Sequence, residues 1–471
     1  MPALLALLLA SEIVYAALAF LDATSGVVAV SRFLIVMLVL FMLYAGAVAL
    51  VTRGIEQNGL TIIVAGAILF RLTLLPAGLP PTMTTAERID ALSHDVRGRA
   101  VAFERFLLYD HDLWRFLWEG HVSSHGRSPY RFAPADPRLD GLDDEGRGDS
   151  WELIRSRVNN SELTSVYPPL AQLLFVFSHA IAPASVVVFK SIVVLIDLAA
   201  IGVMVAILRL LGRPPEQVVL YAWNPLVVKV FAGSGHFDVL VVLALAVLLH
   251  AVLVRSRWVA ALAFAGSVMA KLVPIVLLPL VLVRIGWRRA SIVLVPCFVI
   301  LAAIAAASTL SGVSAFGREW EFNAGVYALL RFWIGDAQIA RLACAGAFAA
   351  IALLLLRRDD RSFDAFAVLG SLILGALLLL SPVVTPWYVT WLLPFALVAR
   401  HSSWFVFTAL VCLAFVVMVD GREYPLVQIL EYSLLGIILL REIRVSSFAL
   451  FQPASRLRPV AISPTIERSH P

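Results

Sequence analysis

The chain has 471 residues, 61% hydrophobic and 15% charged, with a formal net charge of +5. Soluble globular proteins are about 45–50% apolar and about 25% charged, so too few polar residues are present here to cover a water-facing surface. Disorder is excluded by the same apolar content, and the composition is that of an all-α polytopic membrane protein.

Taken in chain order, spanning helices are predicted over residues 4–21, 31–51 and 60–75. The first run is longer than the apolar core of a signal peptide and has no basic segment before it. The character changes over residues 79–167, which are rich in Asp, Glu, Arg, His, Trp and Pro and hold 15 of the 32 acidic residues. Beyond it the chain is again apolar, with short charged punctuation, up to a basic tail over 441–471. The main body is therefore a transmembrane domain of residues 1–440 with one large polar loop, the place to look for chemistry.

Nearly all the positive charge is arginine; the lysines are Lys190, Lys229 and Lys271 alone. A basic chain raises nucleic acid as a partner. These arginines sit in short loops between apolar runs, however, and read as topology signals rather than a nucleic-acid footprint. The clusters Arg209/Arg213, Arg255/Arg257, Arg284/Arg288/Arg289, Arg357/Arg358/Arg361, Arg400 and Arg441/Arg444 are assigned to the cytoplasm. Between Arg257 and Arg284 the run is about 39 Å long as a helix at about 1.5 Å per residue, too long for one straight crossing. Gly266, Lys271 and Pro274 lie at its middle, so two short helices turning near Lys271 are expected. About 13–14 crossings result, with both termini cytoplasmic. Five features then share the non-cytoplasmic face: the large loop, the turn 233–238, Lys271, the segment 316–323 and the segment 381–388. Residues 168–183 break the parity if they span, and are expected at the interface.

The strongest local feature is the run 109–121. Asp112, Arg115 and Glu119 stand at helical spacing, so a helix puts them on one face. Trp114 and Trp118 form a neighbouring stripe suited to a membrane interface or to stacking on a sugar. A carboxylate beside an arginine at the mouth of an apolar cavity is a candidate general base with an anion clamp. The same residues also fit a juxtamembrane helix with an internal ion pair. Tyr130 to Pro134 and Tyr167 to Leu170 read as extended segments from their prolines. Asp143, Asp144 and Glu145 resemble a metal cluster in composition, but their glycine-rich surroundings favour a solvated acidic loop. His236 and Asp238 occupy the tip of a predicted hairpin. A charge such as Lys271 at mid-membrane costs about 2.5–3.5 kcal/mol and marks a functional site by default, with snorkelling to the interface as the alternative. Asp197 and Lys190 fit buried structural groups, and Arg331 is a weaker outer-face cation. His179, His250 and His401 show no metal-ligand spacing, and Cys297, Cys344 and Cys412 lie in apolar runs without a disulfide or metal pattern.

The segments DLWRFLWEGHVSSHGRSPYRFAP, VYPPLAQLLF, YAWNPLVVKVFAGSGHFD, MAKLVPIVLLPLVL and SPVVTPWYVTWLLPF occur in this order. Together they resemble the GT-C superfamily of integral-membrane glycosyltransferases, closest to the bacterial branch using polyprenyl-phosphate-mannose. The resemblance spans roughly residues 60–440. It implies a GT-C-like helical bundle, a catalytic acid in the first large loop, a polyprenyl-phosphate sugar donor and inverting transfer to a glycan or glycolipid acceptor. The acidic position falls on Asp112 and the arginine on Arg115, with Asp110 and Glu119 as further candidate carboxylates. Phe116 stands where Tyr is common, Glu119 where Asp is, His121 where Arg is, and His111 where a second Asp is often found. Residues 84–108 read as an insertion. On this reading Arg115, Lys271 and His236 hold donor phosphate, while Trp114, Trp118, Tyr167, Asp238, Trp387 and Tyr388 line sugar or prenyl chain. No cofactor is called for, and a divalent metal is compatible with the carboxylates without being indicated. A lipid-linked-saccharide transporter or flippase, and a non-catalytic subunit of a wall-assembly complex, are the competing classes.

Overall fold

The computed structural model describes residues 2–21, 26–54, 59–97, 102–104, 106–142 and 148–450. The acidic run Asp143, Asp144 and Glu145 lies outside them, as does most of the basic tail. Among the described residues the chain is helical without a strand, and one backbone bridge joins Phe322 to Val383. Three apolar helices open the chain: α1 (Pro2–Ala19), α2 (Val27–Thr52) and α3 (Gly59–Leu74). The polar loop carries α4 (Thr85–Val96), α5 (Asp112–Ser124) and α6 (Gly148–Arg157), followed by α7 (Pro169–Ile181) and α8 (Val186–Leu210). Two single turns, α9 (Val219–Ala222) and α10 (Pro225–Val228), lead to α11 (Val239–Leu253), α12 (Arg257–Ala270), α13 (Leu278–Ile285) and α14 (Trp287–Ala307). The last third contains α15 (Ser311–Arg318), α16 (Val326–Ile334), α17 (Ala337–Leu356), α18 (Phe363–Leu380), α19 (Leu393–Ala399), α20 (Ser402–Leu410) and α21 (Pro425–Leu450).

Among the described residues seven helices are long and apolar enough to cross a membrane, and six shorter apolar helices accompany them. This is a polytopic membrane protein. At 13 residues, α7 is about 20 Å long, short of a hydrocarbon core of about 30 Å. It lies along α5, where Gly120 admits the contact: a Cβ there would stand 2.5 Å from the Phe175 carbonyl oxygen.

Buried polar groups tie the apolar helices together. Arg71 pairs with Asp197 at 2.6 Å, both fully buried, and also donates to the carbonyls of Ala67 and Ala222. Removing one partner of such a pair costs about 3–5 kcal/mol. Lys190 donates to the carbonyls of Leu74, Leu75 and Ala77, which end α3. Thus Asp197 and Lys190 share a helix but not a bond. The segment 84–97 is anchored in a similar way. Its helix α4 starts on a Thr84–Glu87 capping box, and Asp95 accepts from Ser185, Val186 N and Val187 N at the start of α8.

Candidate active site

Two departures from regular backbone set the site. Leu108 and Tyr109 both have left-handed φ, 53° and 64°. Such a pair is uncommon for non-glycine residues and clusters at functional sites. It turns the chain so that Asp110 stands just ahead of α5, its carboxylate accepting from Asp112 N, the first residue of the helix, at 3.0 Å. The second departure is a π-helical turn over Lys229–Gly233, a form often found at functional sites. Gly235 follows at φ 73°, where a side chain would meet Leu113 at 2.6 Å. This close approach brings the turn of His236 onto the start of α5.

His236 Nε2 donates a short hydrogen bond to Asp110, and its Nδ1 lies 3.7 Å from Asp238. The ring stacks on Trp387 at 3.9 Å. Asp238 in turn accepts from Lys271 Nζ at 2.8 Å and Trp391 Nε1 at 2.9 Å. The Lys271 ammonium also sits over the rings of Tyr388 and Trp391. As the spacing predicted, α12 stops at Ala270 and Lys271 is extended before the chain resumes. Burial opposes charge throughout this group; the paired charges prevail at Asp110, His236 and Asp238, whereas at Lys271 burial prevails and lowers the pKa. Burial alone would lift Asp110, but the His236 cation brings it down to about 2. Burial would lower His236, and the Asp110 carboxylate raises it to about 9. At neutral pH this is an imidazolium–carboxylate pair.

Asp112 is different. It is half-buried, accepts a hydrogen bond from Asn159 Nδ2 at 2.8 Å, and has no cation bonded to it among the described residues. Burial, then the negative charge of Asp110, raise its pKa. A raised carboxylate facing a cavity is more basic than an ordinary one.

The cavity encloses about 380 Å³. Asp112, Arg115, Tyr167, His236, Asp238, Lys271, Trp387 and Tyr388 all line it, so eight of the twelve candidate residues converge. Val166, Leu272, Val273, Val313 and Phe316 supply an apolar wall. The other four candidates stand outside the lining. Asp110 lies behind His236. Glu119 is buried, accepting from Arg115 at 2.9 Å, Ser165 at 2.7 Å and Gln172. Trp114 and Trp118 are also buried, beneath the guanidinium groups of Arg157 and Arg155. Arg115 lines the cavity, but its guanidinium also donates to Glu119 and to the carbonyls of Asn159, Asn160 and Leu163. Most of its donor capacity holds the loop in place, because five N–H groups are all a guanidinium has.

Asn159, Trp391 and Arg341 were missed in the sequence. Arg341 had a readable signal, a lone cation inside the apolar run of α17. The other two are brought in by tertiary packing. Lys229 is fully buried beside this group, over the Phe415 ring, with no hydrogen-bond partner among the described residues. Asp110, Asp112 and His236 offer ligand atoms within 4.8 Å of one another, the one such trio among the described residues. They are the residues that could hold a divalent ion, the carboxylates suiting a hard cation.

A polytopic helical bundle with a carboxylate and cations around a largely apolar cavity is compatible with an integral-membrane glycosyltransferase. Residues 106–287 match the N-terminal domain of the alpha-(1->6)-mannopyranosyltransferase (MptA_B) family, and residues 334–443 match the MptB C-terminal domain. The two matches together cover more than half of the chain, which belongs to this family of GT-C-type membrane mannosyltransferases. No curated protein and no solved structure matches it.

Proposed function

We propose that the protein is an inverting mannosyltransferase that takes mannose from a polyprenyl-phosphate donor. The transfer is to a hydroxyl of a lipid-linked or cell-envelope glycan, on the non-cytoplasmic face of the cell membrane. The observation that carries this reading is one cavity lined by a basic carboxylate, Asp112, by two cations, Lys271 and His236, and by an apolar wall. A polyprenyl phosphosugar is a molecule of two solvents, its chain in lipid and its head in water, and this cavity offers both.

In the proposed reaction Asp112 removes the proton of the acceptor hydroxyl as its oxygen attacks the anomeric carbon. The anomeric C–O bond to phosphate breaks, and the electron pair leaves with the phosphate. Base catalysis of this kind contributes about 10²–10⁴-fold. The leaving group is already a phosphate ester, so fixed cations matter more than an acid. Lys271 spends one hydrogen bond on Asp238 and keeps two N–H groups for the cavity. The His236 imidazolium contributes its charge. Arg341, bonded to the Trp320 carbonyl at 2.9 Å, adds a third cation at the lining. The primary hydroxyl of a mannose acceptor fits the family's α-(1→6) linkage. The outward orientation rests on the arginine-rich loops between apolar runs.

The test uses purified protein in detergent with a mannan oligosaccharide acceptor. Polyprenyl-phosphate-mannose should release polyprenyl phosphate and lengthen the acceptor by one mannose, and GDP-mannose should do neither. Transfer from GDP-mannose alone would overturn the donor assignment.

A further inference from the structure

A charged patch lies where α12 and α14 begin, apart from the cavity. One residue, Gly286, both ends α13 and precedes α14, and its φ of 81° favours glycine. That short link, with α12 packed on α14, brings the first turns of the two helices together. Each turn sets arginine beside tryptophan: Arg257 and Trp258 open α12, and Trp287, Arg288 and Arg289 open α14. The Arg289 guanidinium lies 5.7 Å from the centre of the Trp258 ring, so the two turns meet.

The positive charge here is not neutralised by the protein. Arg284, at the end of α13, is paired with both oxygens of Asp359. Arg257, Arg288 and Arg289 form no ion pair among the described residues. Arg289 gives one N–H to the Ile285 carbonyl at 3.3 Å, and its Nε is buried without a partner among the described residues. Trp258 and Trp287 stand exposed beside these cations, a composition suited to a membrane–water interface. One turn further along, the surface becomes apolar. Leu262 follows Trp258 by four residues and Ile292 follows Arg289 by three, and both are exposed. Gly266 continues the α12 strip, with open space where a side chain would stand.

We propose that the first turns of α12 and α14 form a binding site for an anionic phospholipid. Its phosphate lies between Arg257 and Arg289, and its acyl chains run along Leu262 and Ile292. A guanidinium presents paired N–H groups that match phosphate oxygens, and basic pockets between spanning helices hold lipid headgroups in this way. A zwitterionic headgroup brings its own ammonium, which unpaired arginines repel, so charge selects an anionic lipid. Free phosphate would leave the apolar strip unused. The 14 residues of α12 make it about 21 Å long, and Lys271 stands at its far end, so the lipid takes no part in the transfer. It would steady α14, of which only Ala290 and Leu294 are buried. The proposal does not depend on the donor assignment.

The test is native mass spectrometry of the delipidated full-length protein, titrated with phosphatidylglycerol or with phosphatidylcholine of the same chains. Wild type should bind phosphatidylglycerol about tenfold more tightly than phosphatidylcholine, and excess inorganic phosphate should not displace it. Arg257→Gln/Arg289→Gln should weaken phosphatidylglycerol binding about tenfold. Arg209→Gln/Arg400→Gln removes the same charge from two other exposed arginines and should keep wild-type affinity. Arg257→Gln alone changes only an exposed side chain and should show part of the loss with wild-type thermal unfolding in phosphatidylcholine. No bound phosphatidylglycerol, equal affinity for the two lipids, displacement by inorganic phosphate, or equal losses in the two double variants would each overturn the site.

Discussion

Asp110→Asn isolates the charge of the Asp110–His236 pair, because asparagine keeps an oxygen to accept from His236 Nε2 while losing the negative charge. Against its burial, the carboxylates around it, Asp110 foremost with Asp238 and Asp112, lift His236 from 6.5 to about 9. At about 1.4 kcal/mol per pKa unit this corresponds to roughly 3 kcal/mol of coupling, undiluted by solvent since both side chains are buried. The imidazole has its pKa raised on folding, so its stabilisation is full below about pH 6.5 and fades as pH rises through about 9. The carboxylate has its pKa lowered on folding, so its share is present above about pH 4 and fades as pH falls through about 2. The pair is therefore fully effective from about pH 4 to 6.5. The assay is thermal unfolding of wild type and Asp110→Asn in detergent from pH 6 to 9.5. The variant should be destabilised by roughly 3 kcal/mol more at pH 6 than at pH 9.5. A gap between the two proteins that stays constant over this range would refute the ion pair.

Lys271→Met strips Asp238 of its ammonium in a buried setting, so thermal stability should fall by about 3–5 kcal/mol. Lys271→Met/Asp238→Asn should recover most of that loss without recovering donor affinity. Glu119→Gln keeps the acceptor for Ser165 but leaves Arg115 without its buried counter-charge. Its expected signature is a stability loss of about 2–4 kcal/mol with kcat per folded molecule nearly unchanged, and a selective collapse of kcat would assign Glu119 to the chemistry. Trp387→Ala removes the ring stacked on His236. It should raise KM for the donor about tenfold, roughly 1.4 kcal/mol, with less effect on kcat; an unchanged KM would separate that ring from the donor.

The membrane character and the break at Lys271 were both legible, because each depends on composition or on Gly and Pro within a few residues. The α5 motif was half legible. Helical spacing does place Asp112, Arg115 and Glu119 along one side, but it cannot say how deep each side chain lies. Arg115 faces the cavity from between the two carboxylates, leaving Glu119 buried against Ser165 and Gln172. Trp114 and Trp118 read as a substrate stripe, whereas the ordered loop covers them through Arg155 and Arg157. The Asp110–His236 pair joins residues 126 apart. It depends on left-handed backbone at Leu108 and Tyr109, which no glycine announces.

The central claim is that Asp112 is the base of sugar transfer, and Asp112→Asn tests it most directly. Asparagine preserves size and can still accept from Asn159 Nδ2, so fold and donor binding should persist. Single-turnover release of polyprenyl phosphate from polyprenyl-phosphate-mannose should slow about 10²–10⁴-fold, with donor KM within a few-fold of wild type. Turnover within a few-fold of wild type would contradict the assignment.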